Sequence, residues 1–121
     1  MEIAIIGASN DRSKYGNKAV RAYRDSGYMV YPINPKEETI EGLKAYKSVK
    51  EIPGEVETAS FYVPPKIGLT LVDEMAEKGV KRVYLNPGAE SDELYEAFEA
   101  KGIEAIIACS ILAVGKTPDT Y

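Results

Sequence analysis

Gly7-Ala8-Ser9-Asn10-Asp11-Arg12-Ser13-Lys14-Tyr15-Gly16 is the segment of this chain whose residue types best suit a small anionic ligand. A glycine and small residues between an apolar run and a helical pattern let backbone N–H groups approach a phosphate. Arg12 and Lys14 add positive charge beside that turn. The spacing is not the dinucleotide fingerprint, because Ser9 and Arg12 stand where the second and third glycines belong. A tight turn with exposed charges is the plainer alternative. Asn34-Pro35-Lys36 brings a second cation, a lysine where an NAD site carries a ribose-binding acid, and it would suit an additional ribose phosphate. Val63-Pro64-Pro65-Lys66 offers a rigid apolar wall for a base or a ligand arm, although proline at a helix start needs no ligand. Asn86-Pro87-Gly88-Ala89 is a turn whose glycine permits close approach. Cys109 is the single thiol, and the sequence leaves it open between structural packing and a reactive role.

Other chemistries are excluded by composition. The chain has 121 residues and no histidine, which removes Ser-His and Cys-His catalysis and every histidine-based metal site. One cysteine removes cysteine-rich zinc and iron–sulfur sites as well, so neither a catalytic residue nor a metal ligand is assigned. It also rules out an intrachain disulfide, and a reducing, cytoplasmic setting is expected. Fifteen basic against nineteen acidic residues give a net charge of −4 with no basic block, so nucleic acid is not an expected partner. No membrane association is expected either: the apolar stretch at residues 105–115 is interrupted by Ser110 and too short to span. Residues 1–7 lack the basic lead of a signal peptide. Ser110 to Thr117 resembles a phosphate loop with serine in place of its first glycine, but Pro118 follows where such a loop needs a helix.

The elements that must position these segments follow from hydrophobic periodicity. Continuous apolar runs at Ile3–Ile6, Met29–Ile33, Ala59–Val63, Arg82–Leu85 and Glu104–Ala108 read as strands buried on both faces of a parallel sheet. Helical patterns lie between them. Lys18–Ser26 stops at Gly27, Pro65 opens a stripe of Ile67, Leu71, Val72, Met75 and Ala76 ending at Gly79, and Ser91 caps a helix that Gly102 ends. Between them, Leu43–Tyr46 reads as a short edge strand and Ser48–Ile52 as a helical turn. The predicted fold is α/β: one Rossmann-like domain over residues 1–121, an open, mostly parallel five-stranded sheet with helices on both faces. In such sheets ligands bind outside the carboxyl ends of the strands, where all five segments above lie.

Taken in order, Gly7-Ala8-Ser9 with Lys14-Tyr15-Gly16, Asn34-Pro35-Lys36, Val63-Pro64-Pro65, Asn86-Pro87-Gly88-Ala89 and Cys109 resemble the small CoA-binding proteins. These are similar to the N-terminal Rossmann domain of the succinyl-CoA synthetase alpha subunit. The resemblance implies a coenzyme A site in which the loop Ser9, Asn10 and Arg12 holds phosphates and Lys36 reaches a CoA phosphate. Val63 and Pro64 would line the adenosine region, and Asn86 to Gly88 would border the pantetheine. The synthetase works through a phosphorylated histidine in a second domain, which this chain lacks, so its ligase activity is not implied. The expected function is a stand-alone module or sensor for CoA or an acyl-CoA, with a protein partner or homo-oligomer in prospect. Two alternatives stand beside it. One is an NADP-dependent oxidoreductase using Lys36, and the other an interaction module with a vestigial nucleotide pocket and an exposed edge near Leu43–Tyr46.

Overall fold

Ile3 and Ile5 turn to one side of the first strand and Ala4 and Ile6 to the other, and all four are buried. That double burial makes the run continuous rather than alternating. The computed structural model describes residues 1–121. Strands β1 (Glu2–Ile6), β2 (Met29–Ile33), β5 (Thr58–Phe61), β6 (Arg82–Leu85) and β7 (Glu104–Ile107) form a wholly parallel sheet in the order β2-β1-β5-β6-β7. The Rossmann-like arrangement is thus as the alternating pattern requires. On one face lie α1 (Tyr15–Asp25) and the short α5 (Ser110–Ala113), burying Ala19, Val20, Tyr23 and Ile111. On the other lie α2 (Pro65–Leu69), α3 (Val72–Lys78) and α4 (Asp92–Ala100), where Phe61 and Phe98 meet edge-to-face at 5.4 Å. No helix is long and apolar enough to cross a membrane. After β2 the chain returns past β1 to β5, so strand order reverses between β1 and β5.

Three local departures from the periodicity have physical causes. The first helix starts at Tyr15, three residues before the expected Lys18, because Gly16 lies so close to the Gly7 carbonyl that the turn continues directly into helix. Asn17 fixes that start by donating its side-chain amide to the Ser9 carbonyl at 2.9 Å. The stripe after Pro65 is two helices rather than one. At the break Thr70 and Leu71 donate to carbonyls three residues back, the Thr70 hydroxyl also binds Ile67 O at 2.6 Å, and Ile67 is exposed. Finally, the Leu43–Tyr46 edge is not free. β4 (Leu43–Lys44) pairs with β3 (Thr39–Ile40) as a hairpin, Tyr46 bridges to Ile33, and Ala45 is buried, so the expected exposed docking edge is occupied by the chain itself.

The hairpin turn is clamped by charge. Glu41 (φ 51°) and Gly42 (φ 76°) both adopt left-handed backbone, as a two-residue hairpin turn of the primed kind requires. For a glutamate this conformation costs about 1–2 kcal/mol. The Glu41 carboxylate accepts from Asn17 Nδ2 at 3.1 Å and faces Arg12 Nε at 3.3 Å and Arg24 Nη2 at 3.8 Å. Its own carbonyl accepts from Arg24 Nη1 at 2.7 Å. The bond from Asn17, with the charges of Arg12, Arg21 and Arg24, holds this carboxyl below its ordinary value against the opposing effect of burial.

Two outcomes follow. Alanine usually stabilises a helix relative to glycine by about 0.5–1 kcal/mol, but a Cβ at Gly16 would collide with the Gly7 carbonyl. Gly16→Ala should therefore lose about 1–3 kcal/mol in denaturant unfolding, the cost of overpacking a backbone that cannot yield. For Glu41, a lowered folded value means its contribution is present above the unfolded carboxylate range and is lost as pH falls through the folded value. Glu41→Gln should melt below wild type at neutral pH, and the two melting curves should converge in acid. A gap unchanged between pH 7 and pH 3 would mean the carboxylate charge is not what holds the hairpin.

Candidate ligand-binding site

The exits of β1, β5, β6 and β7 open onto one cavity of about 630 Å³. Its floor at the reversal point is Gly7, whose missing side chain leaves room for Val63: a Cβ there would stand 2.9 Å from Val63 Cγ1. Ser13 to Gly16 form one lip, Tyr62, Val63 and Pro64 the apolar wall, residues 86–89 the opposite wall, and Cys109 the far end. Pro118 completes the mouth. Of the residues expected at a site, Gly7, Lys14, Tyr15, Val63, Pro64, Asn86, Pro87, Gly88 and Cys109 are brought together here. Lys14 is the cavity's one charged side chain, and no carboxylate lines it.

The first loop meets the cavity differently from what its sequence suggests. The amides of Gly7 and Ala8 both donate to the Ile33 carbonyl at 3.2 Å and so are not offered to a ligand. The available donors are one step later: the Tyr15 and Gly16 amides, at the start of α1, have no acceptor in the chain. Ser9 Oγ accepts from Asp11 N–H, Asn10 binds Glu37 and the Thr39 carbonyl, and Arg12 pairs with Glu41. Ala8, Ser9, Asn10 and Arg12 therefore shape the loop without lining the cavity. Asn34 is likewise a brace, donating to the Ala8 carbonyl at 2.8 Å and accepting from the Lys36 and Glu37 amides. Lys36 is exposed, makes no ion pair and does not line this cavity.

Beneath the far end lies a buried polar floor without formal charge. Asn86 is 1% exposed; its amide nitrogen donates to Ser60 Oγ at 2.8 Å and the Phe61 carbonyl at 2.7 Å, and its oxygen accepts from the Ser110 amide at 2.8 Å. Ser60 and Ser110 hydroxyls meet at 2.7 Å, Tyr62 reaches Ser110 Oγ at 2.9 Å, and Tyr23 donates to the Ser110 carbonyl. Burial pushes the Tyr62 phenol up to about 12 and raises Tyr23 as well, so both stay protonated near neutrality. Such a floor contributes shape and dipoles but no ionic charge. One guanidinium ties the mouth: buried Arg21 donates to the Arg12 carbonyl at 2.8 Å and the Tyr121 carbonyl at 3.1 Å, while Tyr121 OH donates to Asp25 at 2.9 Å.

A narrower crevice of about 220 Å³ adjoins the cavity, sharing Gly7 and Val63. Pro35, Ile67, Leu71 and Met75 make it apolar, and Lys47, Ser48 and Glu74 stand in its lining. Burial raises the Glu74 carboxyl, partly offset by Lys50 and by a hydrogen bond from the Val49 backbone. Sequence reasoning missed Tyr62 and Pro118 in the cavity and Lys47 and Glu74 in the crevice, while Ser13, Gly16 and Ala89 lay within segments it singled out without being given a role of their own. Tyr62 directly precedes the Val63 segment already singled out; Lys47 lies in irregular chain and Pro118 opens a short 3-10 turn, and no pattern places either.

Known proteins point the same way. The CoA binding domain family matches residues 1–115. The alpha subunit of an ADP-forming acetate–CoA ligase II from Pyrococcus furiosus is 50% identical over 84 residues, 69% of this chain but only 18% of the subunit. Protein YneT of Bacillus subtilis is 26% identical over 87% of this chain and 78% of its own length. A solved structure of a conserved hypothetical protein from Pyrococcus furiosus superposes with a TM-score of 0.85 at 39% identity, covering 93% of this chain and 97% of that one. With its parallel sheet reversing at Gly7 and its family match over residues 1–115, the chain belongs to the CoA-binding domain family.

Proposed function

We propose that residues 1–121 form a module that binds coenzyme A or an acyl-CoA and has no acyl-CoA ligase activity of its own. One observation carries the reading: a carboxylate-free cavity runs from two unpaired amides and Lys14 at the start of α1, along an apolar wall, to the only thiol. An anionic head held at the helix start and an extended apolar arm ending near Cys109 fit that polarity. In this reading Tyr15, Gly16 and Lys14 hold phosphates, Val63 and Pro64 flank the adenosine, and Pro87 and Gly88 border the pantetheine. Lys36 stands at the exit of β2 for a ribose phosphate.

The ligase relatives are several times longer than the part this chain matches, and the residues here include no histidine to carry a phosphoryl group. The cavity likewise lacks a histidine or carboxylate that would act as general base near neutrality. The chain is then a binding module or sensor working in the cytoplasm, with another subunit or a second copy as the recipient of its bound state.

Cys109 gives the module a redox response. Its thiolate attacks the disulfide of oxidised CoA, forming a protein–CoA mixed disulfide and releasing one CoA thiolate; a reducing thiol reverses the exchange.

Calorimetric titration with CoA, acetyl-CoA, NAD and NADP tests the ligand. CoA should bind tightest, and Lys14→Glu, which reverses the cavity's only charge on an exposed side chain, should weaken CoA by about tenfold or more while the fold survives. Tighter binding of NADP than of CoA would overturn the reading. For the thiol, intact mass after incubation with CoA disulfide should show one CoA adduct in wild type that dithiothreitol removes, and none in Cys109→Ser. Absence of the adduct from wild type saturated with ligand would leave Cys109 a packing residue.

A further inference from the structure

Lys47 is placed by backbone hydrogen bonds rather than by any motif. Tyr46 donates its amide to the Pro32 carbonyl and accepts from the Asn34 amide, each at 2.9 Å. Residues 45–47 are thereby laid along the open edge of β2, which sets Lys47 beside Asn34-Pro35-Lys36. Pro35 and Lys47 line the same crevice, and that crevice joins the main cavity at Gly7 and Val63. Lys36 and Lys47 both lack a carboxylate partner, whereas Arg12 in the neighbouring loop is taken up by Glu41. The crevice's one carboxylate, Glu74, is engaged by the Val49 backbone and faces the charge of Lys50.

We infer that Lys47 is a specificity-determining residue: with Lys36 it forms a two-lysine clamp for a phosphomonoester on the ligand's ribose. The inference rests on the CoA reading above and adds to it which cation lies at the crevice itself. Two ammonium groups fit a phosphomonoester because it carries close to two negative charges near neutral pH, and a lone exposed lysine would be largely screened. Pro35, Ile67 and Leu71 place apolar surface beside Lys47 in the crevice, and a ligand seated there would displace water from that side of the exposed ammonium. A nucleotide without the ribose phosphate would use the same apolar walls and gain nothing from the lysines.

The test compares CoA with dephospho-CoA by calorimetry, for wild type, Lys36→Gln, Lys47→Gln and Lys47→Arg. Wild type should prefer CoA, and Lys47→Gln should shrink that preference by about fivefold or more with dephospho-CoA binding unchanged, as expected for loss of one charge-assisted contact. Lys47→Arg, which keeps the charge, should retain most of the preference. If Lys47→Gln leaves the ratio intact while Lys36→Gln abolishes it, or lowers both ligands equally, the clamp is wrong and the CoA reading stands. Equal binding of both ligands by wild type overturns the clamp in the same way. Binding of neither overturns the CoA reading and the clamp together.

Discussion

The close approach of three segments at Gly7 is the constraint on which this site depends. The residue is left-handed, its amide reaches the end of β2, its carbonyl lies under Gly16, and its missing Cβ admits Val63. Each neighbour comes from a different element, so one glycine sets how far β1, α1 and the β5 exit stand apart. The helix start can then face the reversal point of the sheet, where an unpaired pair of amides is most useful. Any side chain here would separate the α1 end of the cavity from its apolar wall.

Polar groups are handled in two opposite ways across the molecule. Around Glu41, charge is concentrated at the surface: one carboxylate gathers the bond of Asn17 and the field of three arginines, and in doing so holds an unfavourable glutamate turn. Beneath Cys109 charge is excluded, and Asn86, Ser60, Ser110, Tyr62 and Tyr23 satisfy one another without an ion. No buried side-chain polar atom is left unpartnered. Low dielectric makes an incomplete network costly, so the complete one fixes where β6 and the segment after β7 end.

The fold was legible because doubly buried strands and glycine-terminated helices leave period and punctuation in the sequence. Met29–Ile33 and Arg82–Leu85 fall on the residues their apolar runs indicate. The site was legible as segments and less so as side chains. Asn34 and Asn86 carry the chemistry of ligand contacts, yet each spends its amide on backbone. Arg12 carries the charge of a phosphate partner but is neutralised by a glutamate 29 positions later, a pairing that only the hairpin creates. Local pattern reports which residues could act; it cannot report which are already engaged by chain folded back from afar.

Arg21 gives the mouth of the cavity its mechanical character. The same guanidinium holds the Arg12 carbonyl, just before the lip that begins at Ser13, and the Tyr121 carbonyl, at the end of the turn that Pro118 opens, and Asn17 anchors it at 2.7 Å. It cannot follow one carbonyl outward without lengthening its bond to the other. These two stretches of the rim are therefore held to one another through a single buried side chain, like two points on one hoop.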